Sequence, residues 1–172
     1  MEVVTGSDSI LENRLIRLME QYEKDLLRMC SVYLRDRSLA EDAVQETFLK
    51  AYQGLSNFRG DCSEKTWLMR IAMNTCKNMR RNAWFRFMQR HVPLEQLSLL
   101  APSADEDCMA VTQAVMRLSR KEQEVVLLYY YQGLKAKEIA QVLHVSGAAV
   151  SKRLKQARTR LHFALEGGTE NA

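Results

Sequence analysis

Residues 137–158 read KEIAQVLHVSGAAVSKRLKQAR, and this stretch decides the fold. Two short helical patterns meet at a three-residue break. Ile139, Ala140 and Leu143 share one face of the first. Val150, Leu154, Ala157 and Leu161 recur at three- and four-residue steps in the second, the period of a helix with one buried stripe. Ser146 stands where an N-cap belongs, its hydroxyl placed to accept from the free amides of the next turn. Val145 is the apolar plug that pins the turn. The spacing predicts a helix-turn-helix.

The charges around this motif point to its partner. Lys135, Lys137, Lys152, Arg153, Lys155, Arg158 and Arg160 are basic between residues 134 and 165, and Glu138 is the one acid there. Most lie off the apolar stripe. Residues 147–151 carry small side chains, so the backbone can approach a groove floor closely. A basic helix with a slim leading end suits the major groove of DNA. A basic face alone would fit a solvated surface helix equally well; the capped turn and the preceding helix favour DNA.

The whole chain has 172 residues, 47% hydrophobic and 27% charged, with a formal net charge of +4. That is room for one medium domain or two small ones, with a mild bias toward polyanions. Gly and Pro are few, and three- and four-step patterns dominate, so the expected fold is all-α. No apolar run approaches the length of a membrane span, and the N-terminus lacks the features of a signal peptide. Cys30, Cys62, Cys76 and Cys108 are widely spaced, with no Cys-x-x-Cys and no neighbouring His. Four reduced thiols in the cytoplasm are expected, with no disulfide, no metal and no cofactor.

Residues 1–12 read as a loosely ordered tail. A helical stripe then runs through Leu15, Leu18, Met19, Tyr22, Leu26, Met29, Cys30 and Tyr33. Residues 35–38 break it, and Ser38 with Glu41 has the spacing of a capping box for a second helix. In that helix Ala40, Ala43, Val44, Thr47, Phe48, Ala51 and Tyr52 form the inward face. Asp42, Gln45, Glu46 and Leu49 form the other side, an acidic rim around an apolar residue. Such a rim fits a docking surface for a basic helix, or a plain solvated face. A loop over residues 57–63 follows. A third helix starts near Glu64 with the stripe Trp67, Leu68, Ile71, Ala72, Thr75 and Met79. Between residues 65 and 90 there are seven basic residues and no acid, with Trp84, Phe85 and Phe87 interleaved. Basic groups among aromatics fit a surface that holds phosphates and unpaired bases. Trp67 reads instead as core packing.

Residues 91–108 change character: Pro93 and Pro102 bracket a polar-apolar mixture, the acids are Glu95, Asp105, Glu106 and Asp107, and no residue is basic. This is a flexible linker between a domain at 13–90 and a second at 109–166, with a tail at 167–172. The second domain opens with Val111, Ala114, Val115 and Leu118 on one helix. A Ser119 cap then starts another that runs through Val125, Val126, Leu128, Tyr129 and Tyr130 to Gly133.

Residues 40–52 (AEDAVQETFLKAY), 67–74 (WLMRIAMN) with Arg81 behind them, 118–126 (LSRKEQEVV), Glu138-Ile139-Ala140 and 150–158 (VSKRLKQAR) together resemble the RNA polymerase sigma factors of the extracytoplasmic-function type. The motifs stand in family order at family spacing and cover nearly the whole chain. The resemblance implies a non-enzymatic transcription initiation factor. Asp42, Gln45, Glu46 and Leu49 would dock on the β′ clamp of core RNA polymerase. Asn57, Phe58, Arg59, Gly60 and Ser63 would capture a flipped −10 promoter base, with Lys65, Arg70, Asn74, Lys77, Arg80 and Arg81 holding the strands nearby. Lys137, Ser146, Ala148, Ala149, Ser151, Lys152, Lys155, Gln156 and Arg158 would meet the −35 duplex. The second domain would rest on the β flap, and an anti-sigma factor is an implied partner. This chain departs from the family in Asn78, where Asp is frequent, in Ala148-Ala149, where Gly-Thr is frequent, and in His144, where Gly is common. A free-standing helix-turn-helix regulator is the rival reading. It is weakened because residues 13–90 offer neither a sensor pocket nor a dimer seam.

Overall fold

Leu18, Leu26, Met29, Cys30 and Tyr33 lie on one side of the first helical segment, and the computed structural model, which describes residues 6–87 and 106–167, buries all five. This helix, α1, spans Gly6–Leu34. It starts seven residues before the expected position 13, because Leu11 and Leu15 already pack against the core. Arg35 adopts a left-handed φ of 58° and stops it. Helix α2 spans Arg37–Leu55. Its cap is Asp36, not the expected Ser38: the Asp36 backbone is extended, and its carboxylate accepts from the Leu39 amide at 2.9 Å. Ser38 lies inside the first turn, and Glu41 pairs with Arg37 at 3.0 Å instead of closing a box.

Helix α3 spans Glu64–Phe87, with Ser63 accepting from the Thr66 amide at 3.0 Å. The expected stripe on α3 proves too narrow. Met69, Met73 and Cys76 are buried as well as Leu68, Ala72 and Thr75. The reason is that α3 has neighbours on both sides, α1 and α2 on one and α6 on the other. Trp67 is half-buried against Phe58, ring centres 5.0 Å apart, and close to Gly54, as core packing requires.

The second helical unit begins with α4, Glu106–Arg117, so Glu106, Asp107 and Cys108 belong to a helix rather than to the linker. The rest of the expected linker and most of the expected C-terminal tail lie outside the described residues. Helix α5, Arg120–Val126, passes into a π-helical turn over Leu127–Tyr131, where the Gln132 amide reaches the Leu127 carbonyl at 3.2 Å. The Glu122 carboxylate accepts from both the amide and the hydroxyl of Ser119, at 3.0 and 2.7 Å. Helices α6 (Ala136–Leu143) and α7 (Gly147–Leu165) are the helix-turn-helix at the expected break. Ser146 accepts from the Ala149 amide at 3.1 Å. Val145 is half-buried against the core, and Val150, Leu154 and Ala157 are buried. Val111, expected inside, is 40% exposed. All regular structure among the described residues is helical, and the two units share one continuous hydrophobic core.

Five polar contacts join the units. Tyr33 donates to Glu124 at 3.2 Å, and Lys77 pairs with the other Glu124 oxygen at 3.2 Å. Thr66 donates to Glu138 at 3.3 Å, the Gln132 amide group donates to the Asp25 carbonyl at 2.8 Å, and Arg35 donates to the Met116 carbonyl.

The corrected cap can be tested. Asp36→Ala should lower folding stability by about 1 kcal/mol, the usual loss for an N-cap, while Ser38→Ala should change it by less than ~0.5 kcal/mol. Urea denaturation of both variants makes the comparison, and equal losses would return the cap to Ser38.

Candidate polymerase and nucleic-acid interfaces

The outer face of α2 is an acidic rim around exposed apolar groups. Asp42 and Gln45 are exposed, and Leu49 is 58% exposed in the middle of the face. Glu46 is half-buried and pairs with Lys50 at 2.5 Å. Lys50 also donates to the Thr75 hydroxyl of α3 at 3.3 Å, so this pair is tied to the body. Tyr52, expected to pack inward, is 40% exposed and extends the apolar patch beyond Leu49. The helical pattern misplaced Tyr52 because it lies at the edge of the buried stripe, where Leu55 takes over the inner position.

The loop after α2 divides its residues between two roles. Asn57, Arg59, Gly60 and Ser63 are exposed, and Gly60 has a φ of 79°, a conformation that glycine adopts without a Cβ clash. Phe58 turns the other way. It stacks on Trp67, with the Arg14 guanidinium 5.3 Å from its ring centre. Phe58 therefore holds the loop to α1 and α3 instead of standing free. Arg14 and Arg17 both engage Glu64 at the start of α3, the second at 2.9 Å.

The cations expected on α3 do not form a single surface. Arg70, Asn74, Lys77 and Arg81 recur at steps of four, three and four, with Arg80 beside them. Lys65 lies around the helix from this row, near the Tyr22 ring at 5.6 Å. Asn74 and Arg81 are exposed, and Arg81 donates to Asn78 at 2.8 Å. Arg70 and Arg80 are half-buried, each with one buried nitrogen that has no hydrogen-bond partner. Arg80 lies over the Tyr33 ring at 5.0 Å. Burial and the Glu124 carboxylate push the Tyr33 phenol well up from its ordinary range, so it stays a donor. Asn74, Lys77, Arg80 and Arg81 face the second unit across a cleft. The side chains of the expected basic-aromatic segment at Trp84, Phe85, Arg86 and Phe87, and Arg90, lie outside the described residues.

The helix-turn-helix presents the third surface. Lys137, Ser146, Ala148, Ser151, Lys152, Lys155 and Gln156 are exposed, and Ala149 is half-buried. Ala148, Lys152 and Lys155 share the outer face of α7, opposite its buried stripe. Arg158 is exposed but engaged. It donates to the Tyr130 hydroxyl at 2.8 Å and lies over Tyr129, 5.3 Å from the ring centre. The hydrogen bond to Tyr130 strengthens its hold on the proton. At the far end of α7, Arg160 pairs with the buried Glu122 at 2.7 Å. Among the described residues no cluster of metal-ligating side chains occurs, and no helix is long and apolar enough to cross a membrane. Cys30 and Cys76, far apart in sequence, meet in the core with sulfurs 3.3 Å apart. Both are free, and the Cys76 hydrogen bond and burial push the Cys30 thiol well up.

Residues 18–86 match the family described as Sigma-70 region 2, and residues 108–161 match Sigma-70, region 4. The RNA polymerase sigma-H factor of Pseudomonas aeruginosa is 30% identical over 163 residues, which cover 87% of this chain and 84% of the relative. The ECF RNA polymerase sigma factor SigM of Mycobacterium tuberculosis is 31% identical over 150 residues, 84% of this chain and 74% of the relative. Two solved structures share the fold. CnrH, in complex with the cytosolic domain of CnrY, aligns at a TM-score of 0.71 and 23% identity, over 92% of this chain and 91% of that one. The sigma factor RpoE of Bartonella quintana, in complex with the anti-sigma factor NepR, aligns at 0.69 and 21%, over 88% and 98%. Two helical units with these matches, in this order and with a capped helix-turn-helix in the second, make the chain a member of the sigma-70 family, an RNA polymerase sigma factor of the extracytoplasmic-function type that directs the polymerase in transcription initiation.

Proposed function

We propose that the three surfaces divide the work of promoter recruitment. The outer face of α2 docks on the β′ clamp of core polymerase through Asp42, Gln45, Glu46 and Leu49, with Tyr52 widening the contact. The observation that carries this reading is Leu49, an exposed apolar side chain ringed by acids on a helix whose other face is fully packed. An apolar centre with a charged rim fits a partner helix that is basic at its edges. Asn57, Arg59 and Gly60 take the −10 base, with Phe58 as the support beneath the loop and Ser63 as the cap that fixes where α3 begins. Arg70, Asn74, Lys77, Arg80 and Arg81 hold the melted strand, and Lys65 guards the other edge of the loop. An unstacked base costs a few kcal/mol to trap, which pocket contacts offset.

The second unit reads the −35 duplex with α7 in the major groove and rests on the β flap. Lys152 and Lys155 approach base edges, while Lys137, Ser146, Ala148, Ala149, Ser151 and Gln156 border the contact. Arg158, braced on Tyr129 and Tyr130, meets phosphate. The protein acts in the cytoplasm and performs no chemistry of its own, since the polymerase carries the active site. An anti-sigma factor is a further partner, a reading supported by the two solved sigma factors with this fold, whose complexes contain CnrY and NepR. A free-standing regulator is disfavoured by the matches to both sigma regions.

Charge reversal tests the docking face. Asp42→Arg with Glu46→Arg should weaken affinity for core polymerase by at least ~2 kcal/mol, because like charges facing one another across an interface cost several. The melting midpoint should barely move, since Asp42 is exposed and Glu46 is only half-buried. Normal affinity for core enzyme would sink the assignment. The recognition helix is tested on holoenzyme with singly substituted −35 sites at several salt concentrations. One of Lys152→Ala and Lys155→Ala should cost ~1–3 kcal/mol and relax specificity at one position, whereas Arg158→Ala should weaken all sites evenly and lower the salt slope by roughly 1. If both lysine variants weaken every site evenly, base readout lies elsewhere on α7.

A further inference from the structure

The cleft between the two units has a volume of about 860 Å³, within the range of small-molecule sites. Lys77, Arg80 and Arg81 enter it from α3, and Arg120, Lys121 and Arg153 enter from the second unit. Against these six cations stands one carboxylate among the described lining residues, Glu124. That carboxylate is already engaged by Lys77 and by the Tyr33 hydroxyl, each at 3.2 Å. It leaves no acid for the arginines. One nitrogen of Arg80 is buried without a hydrogen-bond partner, a state that costs free energy unless an acceptor arrives. The crowding also shows in Arg120, which partial burial and then the charge of Arg80 bring down to about 10. Two packed surfaces of the same sign require a counter-anion between them.

We infer that this cleft binds a compact anion carrying two or more linked phosphates. Guanidinium groups match phosphate oxygens in pairs and hold them more strongly than neutral donors do. Four of the six cations are arginines. The apolar part of the wall is Leu143 and Val145, which are aliphatic, and the one aromatic ring at the cleft, Tyr33, is covered by Arg80. Recognition therefore falls on the phosphate chain and not on a stacked base. Because both units contribute cations, the bound anion ties them together and keeps the α3 row turned inward. The inference rests on the charge and shape of the cleft in the free protein, and is independent of which promoter contacts that row makes.

The test uses the full chain without DNA or polymerase, titrated calorimetrically with inorganic tripolyphosphate in physiological salt. One saturable site and a raised melting midpoint are expected, as for any ligand that binds the folded state. Arg120→Gln with Arg153→Gln should weaken binding at least about tenfold, the loss expected for charged hydrogen bonds. Lys24→Gln with Arg117→Gln removes the same charge from outside the cleft and should leave affinity unchanged. Arg120→Lys with Arg153→Lys, which keeps the charge, should recover part of the binding and separates a lost ligand site from a damaged fold. ATP distinguishes the source: equal affinity for ATP and tripolyphosphate supports a site for the phosphate chain, free or on a nucleoside. Binding of ATP without tripolyphosphate would overturn the inference, because the base would then be the recognised group. The absence of a saturable site, or equal weakening by the two Gln pairs, would overturn it too.

Discussion

Helix α3 has no free side along its middle. Its residues from Thr66 to Cys76 meet α1 and α2 on one face and α6 on the other, and Met69 and Met73 are as fully buried as the leucines of α1. Burying each such side chain contributes roughly 1.5–3 kcal/mol. A helix with only one apolar stripe could not serve both neighbours. The polar row at Arg70, Asn74, Lys77 and Arg81 is what remains, so its direction is set by the packing of everything else. That row looks across at the second unit because α6 occupies the adjoining face.

The joint between the units is held by a few polar groups over an apolar base. Glu124 takes a hydroxyl and an ammonium from the first unit on its two oxygens. Glu138 accepts both the Lys135 amide, which starts α6, and the Thr66 hydroxyl of α3. One carboxylate thus shapes the helix-turn-helix locally and fastens it to its neighbour. When the two halves of a sigma factor separate on the polymerase, the lost contacts are these hydrogen bonds and the aliphatic surface beneath them. The exposed face of α2 lies elsewhere on the molecule, so docking there does not itself require the joint to open.

Local chemistry was legible in the sequence wherever one residue type has one use. Ser146 and Ser119 cap the helices their spacing assigned, the break at residues 144–146 falls where the periodicity changes, and the stripe of α7 is buried as read. The errors came where two readings compete. Asp36 and Ser38 are both good caps, and extended backbone at Asp36 decided between them. Phe58 reads as a reader of bases in a loop motif, yet it found Trp67. Met69, Met73 and Cys76 were missed because a single stripe was sought on a helix with two partners. The convergence of Lys77, Arg80 and Arg81 with Arg120, Lys121 and Arg153 left no trace in the linear pattern, since it depends on how two separately coded units meet.

The π-helical turn at Leu127–Tyr131 contains one residue more than an α-helical path to Gln132 would need. That slack lets Leu127 and Leu128 stay buried while Tyr129 and Tyr130 swing out beneath Arg158. It also makes this the one described place where the chain can lose a residue without passing the error on. A single deletion within α3 turns every later side chain by about 100° about the axis. The same deletion here relaxes the wide turn to an ordinary one and leaves α6 and α7 in register. The segment between the buried valines and the recognition motif is thus tolerant of change in length, a freedom that a lineage altering its tyrosines could use while keeping its DNA-facing helix in place.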